Sequence, residues 1–189
     1  FLRVHRNILP RCWVIQAEQE KGEKDMTLPE QERERFCQVL HHSRTSLYRL
    51  AFSITRNSSD AQEAVAEAVC RAYERYPQLR EKEKLPRWLL KITANEARRL
   101  CQRRGRTVSL DDLPTEPAIP GRETGDDTLW QAVQTLPRDQ REAVVLFYYE
   151  DLPTEEIARI VGTSPGAVRV RLSRAREKLR SILKEGDYG

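Results

Sequence analysis

The sequence predicts an all-α protein of two small helical domains joined by an extended acidic linker. Three observations carry that expectation. Apolar residues recur with helical period over most of the chain, and β-branched residues never alternate in runs. The period stops between Gly105 and Thr128, where "GRTVSLDDLPTEPAIPGRETGDDT" holds three prolines, three glycines, six acidic residues and two arginines. Such a composition reads as a linker, since it has too few apolar groups to fold on and repels itself. Helix start and stop signals then punctuate both flanks.

The first domain is expected over residues 29–106. Leu47, Leu50, Ala51 and Ile54 form one stripe at i, i+3, i+4, i+7. "NSSD" interrupts it, and Asp60 with Glu63 reads as a capping-box start for the next helix. Ala61, Ala64, Val65, Ala68, Val69, Ala72 and Tyr73 share the buried face of that helix, and Pro77 ends it. Its outer face mixes Gln62, Glu63, Glu67, Arg71, Glu74 and Arg75, which suits either solvent or a docked protein. The polar loop "QLREKEKL" leads to Pro86 and a third helix, buried through Leu89, Ile92, Thr93, Ala97 and Leu100. Glu96 falls near that apolar side, where the pattern gives a carboxylate no role.

Opposite the apolar stripe, Lys91, Asn95, Arg98 and Gln102 recur at i, i+4, i+7, i+11. Trp88 and Arg99 flank them, and Arg103, Arg104 and Arg106 follow. Between Lys84 and Arg106 there are eight basic residues and one acidic residue. Cations beside an amide and an aromatic ring suit single-stranded DNA, in which phosphates and unstacked bases are both exposed. Trp88 reads equally well as a packing anchor.

The second domain is expected over residues 128–186. Leu136-Pro137 is a break, and "RDQREAVVLFYYE" is a helix with an apolar second half. "DLPT" turns the chain, with Thr154 as N-cap and Glu155 and Glu156 in the first turn, favourable to the helix dipole. This helix is short and stops at Gly162; Ser164 caps the next, with Pro165 at its first position. The pair reads as a helix-turn-helix, with Ala158 small at the crossing and Val168 packing back. Val168, Leu172, Ala175, Leu179 and Ile182 bury one side of the last helix, leaving Arg169, Arg171, Arg174, Arg176 and Arg180 on the others. A solvated helix whose arginines pair with Glu177 and Glu185 is one reading. Seven basic residues against one acidic between Ser164 and Lys184 favour a polyanion such as duplex DNA.

Other classes are excluded on residue grounds. The chain has 189 residues and a formal charge of +4, with 39% hydrophobic and 33% charged residues, enough for a modest core. Cys12, Cys37, Cys70 and Cys101 form no CxxC pair, and His5, His41 and His42 lie at no metal-ligand spacing, so neither disulfides, metal nor cofactor is expected. No apolar run is long enough to span a bilayer. Residues 1–28 lack helical period and a signal-peptide core, and read as an N-terminal extension, disordered or not native. No P-loop, carboxylate pair or nucleophile–base set is present, so the chain is not expected to be an enzyme or to have a small-molecule substrate.

Taken with their order and linker, "LYRLAFSITRNSSDAQEAVAEAVCRAYERY" and "LPRWLLKITANEARRLCQRR" resemble region 2 of bacterial RNA polymerase sigma factors of the extracytoplasmic function type, within the sigma-70 superfamily. "LPRDQREAVVLFYYEDLPTEEIARIVGTSPGAVRVRLSRAREKLRSIL" resembles their region 4. The resemblance implies a sigma factor that binds core polymerase and directs promoter-specific initiation, with region 2 at 29–106, a linker at 107–127 and region 4 at 128–186. It implies that Glu63, Glu67 and Arg71 dock on the β′ clamp helices. Trp88, Lys91, Asn95, Arg98, Arg99 and Arg103 would melt and capture the −10 element, and Ser164, Arg169, Arg171, Arg174 and Arg176 would read the −35 duplex. The helix at 138–149 would face the β flap. It further implies a cytoplasmic protein and an anti-sigma partner, which, when membrane-tethered, would hold the chain at the inner face. Two departures stand out. Gln62, Ala64 and Ala66 replace a larger or more acidic set, and Ala167 and Val170 stand where the family often has hydroxyl residues. A stand-alone helix-turn-helix regulator is the other reading, but it leaves the basic third helix and the linker without a role.

Overall fold

A computed structural model describes residues 28–105 and 127–186; the expected N-terminal extension, except for the buried Leu28, and almost all of the linker lie outside them. Among the described residues seven α-helices follow in order: α1 Glu30–Thr55, α2 Ser58–Arg75, α3 Leu85–Gly105, α4 Asp127–Gln134, α5 Arg138–Val144, α6 Thr154–Val161 and α7 Pro165–Gly186. Short 3₁₀ turns at Tyr76–Gln78 and Lys82–Lys84 join α2 to α3, and a π turn at Val145–Tyr149 extends α5. No strand occurs among the described residues.

Helices α1, α2 and α3 pack on one another pairwise. The face of α2 is rich in alanine because three helices meet there: Ala61, Ala64, Ala68 and Ala72 are fully buried, as are Leu47, Leu50, Leu89 and Ala97 opposite. Small side chains bring helix axes close, while the larger ones of α1 and α3 fill the remaining volume at crystal-like density. The start of α2 differs from the sequence expectation. The cap is Asn57, whose side chain accepts from the Asp60 backbone N–H at 2.9 Å. Asp60 is instead buried in the first turn and pairs with Arg104 at 2.5 Å. An Asx cap can be supplied by any of the short polar residues of "NSSD", and the pattern alone does not choose among them.

Glu96 also finds its explanation. Its carboxylate is almost completely buried and meets the Arg71 guanidinium of α2 at 3.2 Å, with Arg99 at 3.8 Å one turn along α3. A carboxylate taken out of water requires such a partner, and the pair clips α2 to α3 beside their apolar seam. The loop between those helices is tied to α1: Lys82 donates to the Tyr76 carbonyl at 2.7 Å and pairs with Glu32 at 3.2 Å, and Arg35 meets Glu83 at 3.1 Å. Tyr76 beneath it is buried edge-on against Phe36.

In the second half, α4, α5, α6 and α7 gather around Val133, Leu136, Val144, Leu146, Ile157, Val168 and Ala175, all at or near full burial. Gly162 ends α6 in the left-handed region at φ 72°, returning its N–H to the Ala158 carbonyl at 2.9 Å. Ser164 caps α7 as its sequence position predicts, its Oγ accepting from Ala167 N–H at 3.2 Å. Thr154 departs from expectation: it is the first residue of α6, Pro153 holds the cap position, and no side chain caps that end. "RDQREAVVLFYYE" keeps α-helical bonding only to Val144, then widens into the π turn before Asp151 reverses the chain at φ 49°.

The two halves pack against each other. Helix α1 packs on α5 and the π turn, and α3 packs on α6. Phe52 stacks with Trp130 at 6.4 Å between ring centroids, and Arg49 lies over the Tyr149 ring at 4.8 Å while pairing with Glu150 at 3.2 Å. Arg98 meets Glu142 at 2.5 Å, and Arg87 meets Glu156 at 3.6 Å. At the centre, buried Arg141 donates Nε to the Ser53 carbonyl of α1, and Nη1 to the carbonyls of Gln134 and Leu136 at 3.0 and 2.7 Å.

Two stability effects follow. Arg71→Ala leaves the Glu96 carboxylate short of its main partner and is expected to cost about 2 kcal/mol, less than a fully buried pair because Arg71 is partly exposed. A Cβ at Gly162 meets nothing within 4 Å, so Gly162→Ala is expected to cost about 1 kcal/mol from backbone conformation alone. Urea unfolding followed by circular dichroism measures both.

Candidate nucleic-acid interface

On α3, Lys91, Asn95, Arg99 and Arg103 project to solvent. Arg98 is largely covered: besides Glu142 it reaches Asn95 Oδ1 at 3.4 Å. Trp88 is half-buried and packs on the hydrophobic core, leaving part of its surface to solvent. The helical period predicts one buried stripe on α3, yet Leu90 and Ala94 are buried as well. With Arg87 and Arg98 they share a face by helical spacing. The ion pairs of Arg87 with Glu156 and of Arg98 with Glu142 therefore bracket an apolar contact patch on the helix that carries the cationic stripe.

On α2, Glu63 is exposed and meets Arg103 of α3 at 3.4 Å, Glu67 is half-buried, and Arg71 is committed to Glu96. The three polymerase-docking candidates thus lie on one helix, and two of them connect directly to α3.

The arginines of α7 divide into three groups. Arg169 and Arg174 are exposed near the N-terminal half, Arg169 at 3.8 Å from Glu155. Arg171 leans back to Asp139 of α5 at 3.4 Å. Arg176 and Arg180, with Lys184, line a groove of about 710 Å³ floored by Leu129, Val133, Val144 and Leu179, with Tyr148 at its mouth. Ser164 is exposed, with its hydroxyl committed to the cap. The N-terminal half of α7 therefore offers cations to a groove-shaped polyanion, and its C-terminal half offers a basic rim around apolar ground.

Sequence reasoning missed Arg141, Glu142, Glu150 and this groove. Burial draws the Arg141 pKa down to about 10, helped by the nearby Arg56 cation. It stays charged at neutral pH, with carbonyl dipoles as its counter-charge. Burial likewise raises the Glu150 pKa, against hydrogen bonds from Ser46 and Arg49 that lower it. The available signal was a charged pair, Arg141-Glu142, directly before "AVVLFYY" on a helix otherwise destined for the interior. Cys37 and Cys101 are free thiols, and burial raises the Cys101 pKa. Among the described residues no cluster of His, Cys, Asp or Glu could hold a metal, and no helix is long and apolar enough to cross a membrane.

Residues 39–107 match the family described as Sigma-70 region 2, and residues 126–179 match Sigma-70, region 4. The chain is 32% identical over 142 residues to RNA polymerase sigma factor SigV of Bacillus subtilis, covering 74% of this chain and 86% of SigV. It is 32% identical over 143 residues to ECF RNA polymerase sigma factor EcfG of Rhodopseudomonas palustris, covering 73% of this chain and 79% of that protein. Among solved structures, sigma factor RpoE from Bartonella quintana, crystallised with the anti-sigma factor NepR, superposes with a TM-score of 0.66 at 28% identity, over 79% of this chain and 96% of that one. A region 2 bundle followed by a region 4 helix-turn-helix defines a promoter-recognition factor rather than an enzyme. The chain belongs to the sigma-70 family of bacterial RNA polymerase sigma factors, in its extracytoplasmic function type.

Proposed function

We propose that the recognition work divides between α3 and α7, with region 2 over 29–106, the linker over 107–127 and region 4 over 128–186. One observation supports this most: two basic helices present outward-facing cations from different helical groups, one beside a half-exposed tryptophan and an asparagine, the other at the exposed N-terminal half of a helix-turn-helix. Helix α7 would lie in the major groove of the −35 duplex with Arg169 and Arg174 on phosphates or base edges, Arg171 joining once freed from Asp139. Helix α3 would hold the opened −10 strand through Lys91, Asn95, Arg98, Arg99 and Arg103, with the exposed part of Trp88 stacking on a base. Unstacking a base costs a few kcal/mol, which stacking and phosphate contacts offset without nucleotide hydrolysis.

Glu63 and Glu67 of α2 would meet the β′ clamp helices of core polymerase, Arg71 steadying that surface through Glu96. The groove beside α7 suits an amphipathic helix with acidic residues, such as the β flap would supply, and its rim carries Arg176, Arg180 and Lys184. An anti-sigma factor is a second partner, a reading supported by the complex of the Bartonella quintana relative with NepR. The chain would act in the cytoplasm, or at the inner face of the membrane when such a partner is tethered there. Because Arg98 is paired with Glu142, −10 engagement requires α3 to part from the region 4 helices; binding to core, which holds the two regions at separate promoter elements, would supply the driving force.

Two substitutions check the division. Arg174→Ala is expected to weaken duplex binding by the holoenzyme and to lower its logarithmic salt slope by about one. Asn95→Ala is expected to leave initial binding nearly unchanged and to reduce permanganate reactivity of the −10 thymines. Equal loss of binding and opening in both variants, or no core-dependent start site in run-off transcription, would refute the assignment.

A further inference from the structure

Helix α7 carries a strip that the fold does not account for. Val170 leaves 49% of its surface in water and, with Tyr148, is one of two large apolar side chains so exposed among the described residues. Tyr148 borders the groove, whereas Val170 lies away from the Val168, Leu172 and Ala175 stripe that buries α7. One turn earlier on the same face stands Gly166. Its backbone is not left-handed, and a Cβ there would meet only Ser164 Oγ at 3.8 Å, an ordinary contact. Neither conformation nor packing calls for glycine at this position, although glycine is a poor helix former. Exposed Arg169, Ser173 and Arg174 surround the two residues with groups that bond to phosphates and base edges.

A lone exposed valine is ordinary on a protein surface. Beside a glycine with no internal purpose, on the leading half of a helix shaped for the major groove, it is a different matter. The one apolar group that a base pair presents in that groove is the C5 methyl of thymine. Glycine lets backbone and ligand approach closely. We propose that Gly166 and Val170 form the base-reading strip of α7: Val170 packs on the C5 methyl of one thymine in the upstream promoter element, and Gly166 leaves space for that base pair to come near. The inference rests on α7 being the duplex-reading helix. It names a specificity determinant on this chain at a position where the resembling family often has a hydroxyl residue.

The test uses holoenzyme assembled from the full chain and bacterial core polymerase. A duplex is selected from a pool randomised across the upstream element, then resynthesised with each thymine in turn replaced by deoxyuridine, which lacks only the methyl group. The expected result is one position where that replacement weakens binding about fourfold, the factor for burying one methyl group. The same replacement should have no effect on Val170→Ala holoenzyme, whose thermal midpoint is unchanged. Gly166→Ala should raise the thermal midpoint of the free chain and yet weaken binding to the selected duplex. The inference is overturned by a selected element without thymine in either strand, by no methyl-sensitive position, by methyl sensitivity that persists in Val170→Ala, or by Gly166→Ala binding as tightly as wild type. If Arg174→Ala is also silent and the upstream element is unprotected in footprinting, the duplex-reading role of α7 falls with it. Protection and an Arg174 effect without methyl sensitivity sink only the role of Val170 and Gly166.

Discussion

The packed arrangement is built around a buried cation. Arg141 brings a guanidinium into the seam between α1 and the α4–α5 turn, where three backbone carbonyls take the place of water. Desolvating a cation is expensive unless its donors are met, and here the carbonyls at the end of α1 and α4 supply the negative ends of their helix dipoles. Two of those carbonyls belong to the region 4 turn and persist whatever region 2 does; only Ser53 is lost on separation. Arg141 is therefore satisfied mainly within its own domain and only lightly anchored across the seam.

Around that cation the seam is more polar than a protein core. Arg98 with Glu142, Arg49 with Glu150 and Arg87 with Glu156 surround the stacked Phe52 and Trp130. Interfaces of this kind resemble transient protein contacts rather than the interior of a single domain. The Arg87–Glu156 pair, half exposed on the arginine side, exchanges for water at small net cost, whereas parting the nearly buried Glu142 and Glu150 from their arginines costs more unless both charges regain water or another partner. The carboxylate of Glu142 occupies on Arg98 the place that a phosphate oxygen would take. If Arg98 serves the −10 strand as proposed, contact between the two regions and contact with DNA would draw on the same cation, linking domain arrangement to promoter binding without any additional element.

Much of this was legible in the sequence. The helical stripes of α1, α2 and α3, the Gly162 turn and the Ser164 cap follow from local rules, because period and backbone conformation are set by near neighbours. The cap of α2 was assigned to Asp60 instead of Asn57 because several short polar residues in one loop satisfy the same rule. The burial of Leu90 and Ala94, the commitment of Glu96 to Arg71 and the whole Arg141 seam depend on residues tens of positions away, and no periodicity encodes them. At the candidate site, the cationic helices were visible as charge imbalance, whereas the partition of α7 into an exposed cationic N-terminal half and a basic groove rim depends on α4 packing beside it. In sequence Val170 stands out only as a departure from the resembling family and Gly166 not at all; exposure, and the lack of any packing need for glycine, set them apart.

The most direct measurement is the distance between the two regions, read by double electron–electron resonance between spin labels at exposed Gln38 on α1 and exposed Glu177 on α7. The free chain should give one short, narrow distance distribution. Adding core polymerase and promoter DNA should replace it with a long one as Arg98 leaves Glu142. An identical short distribution in the free chain and in the transcribing complex would contradict the separation on which promoter engagement is here said to depend.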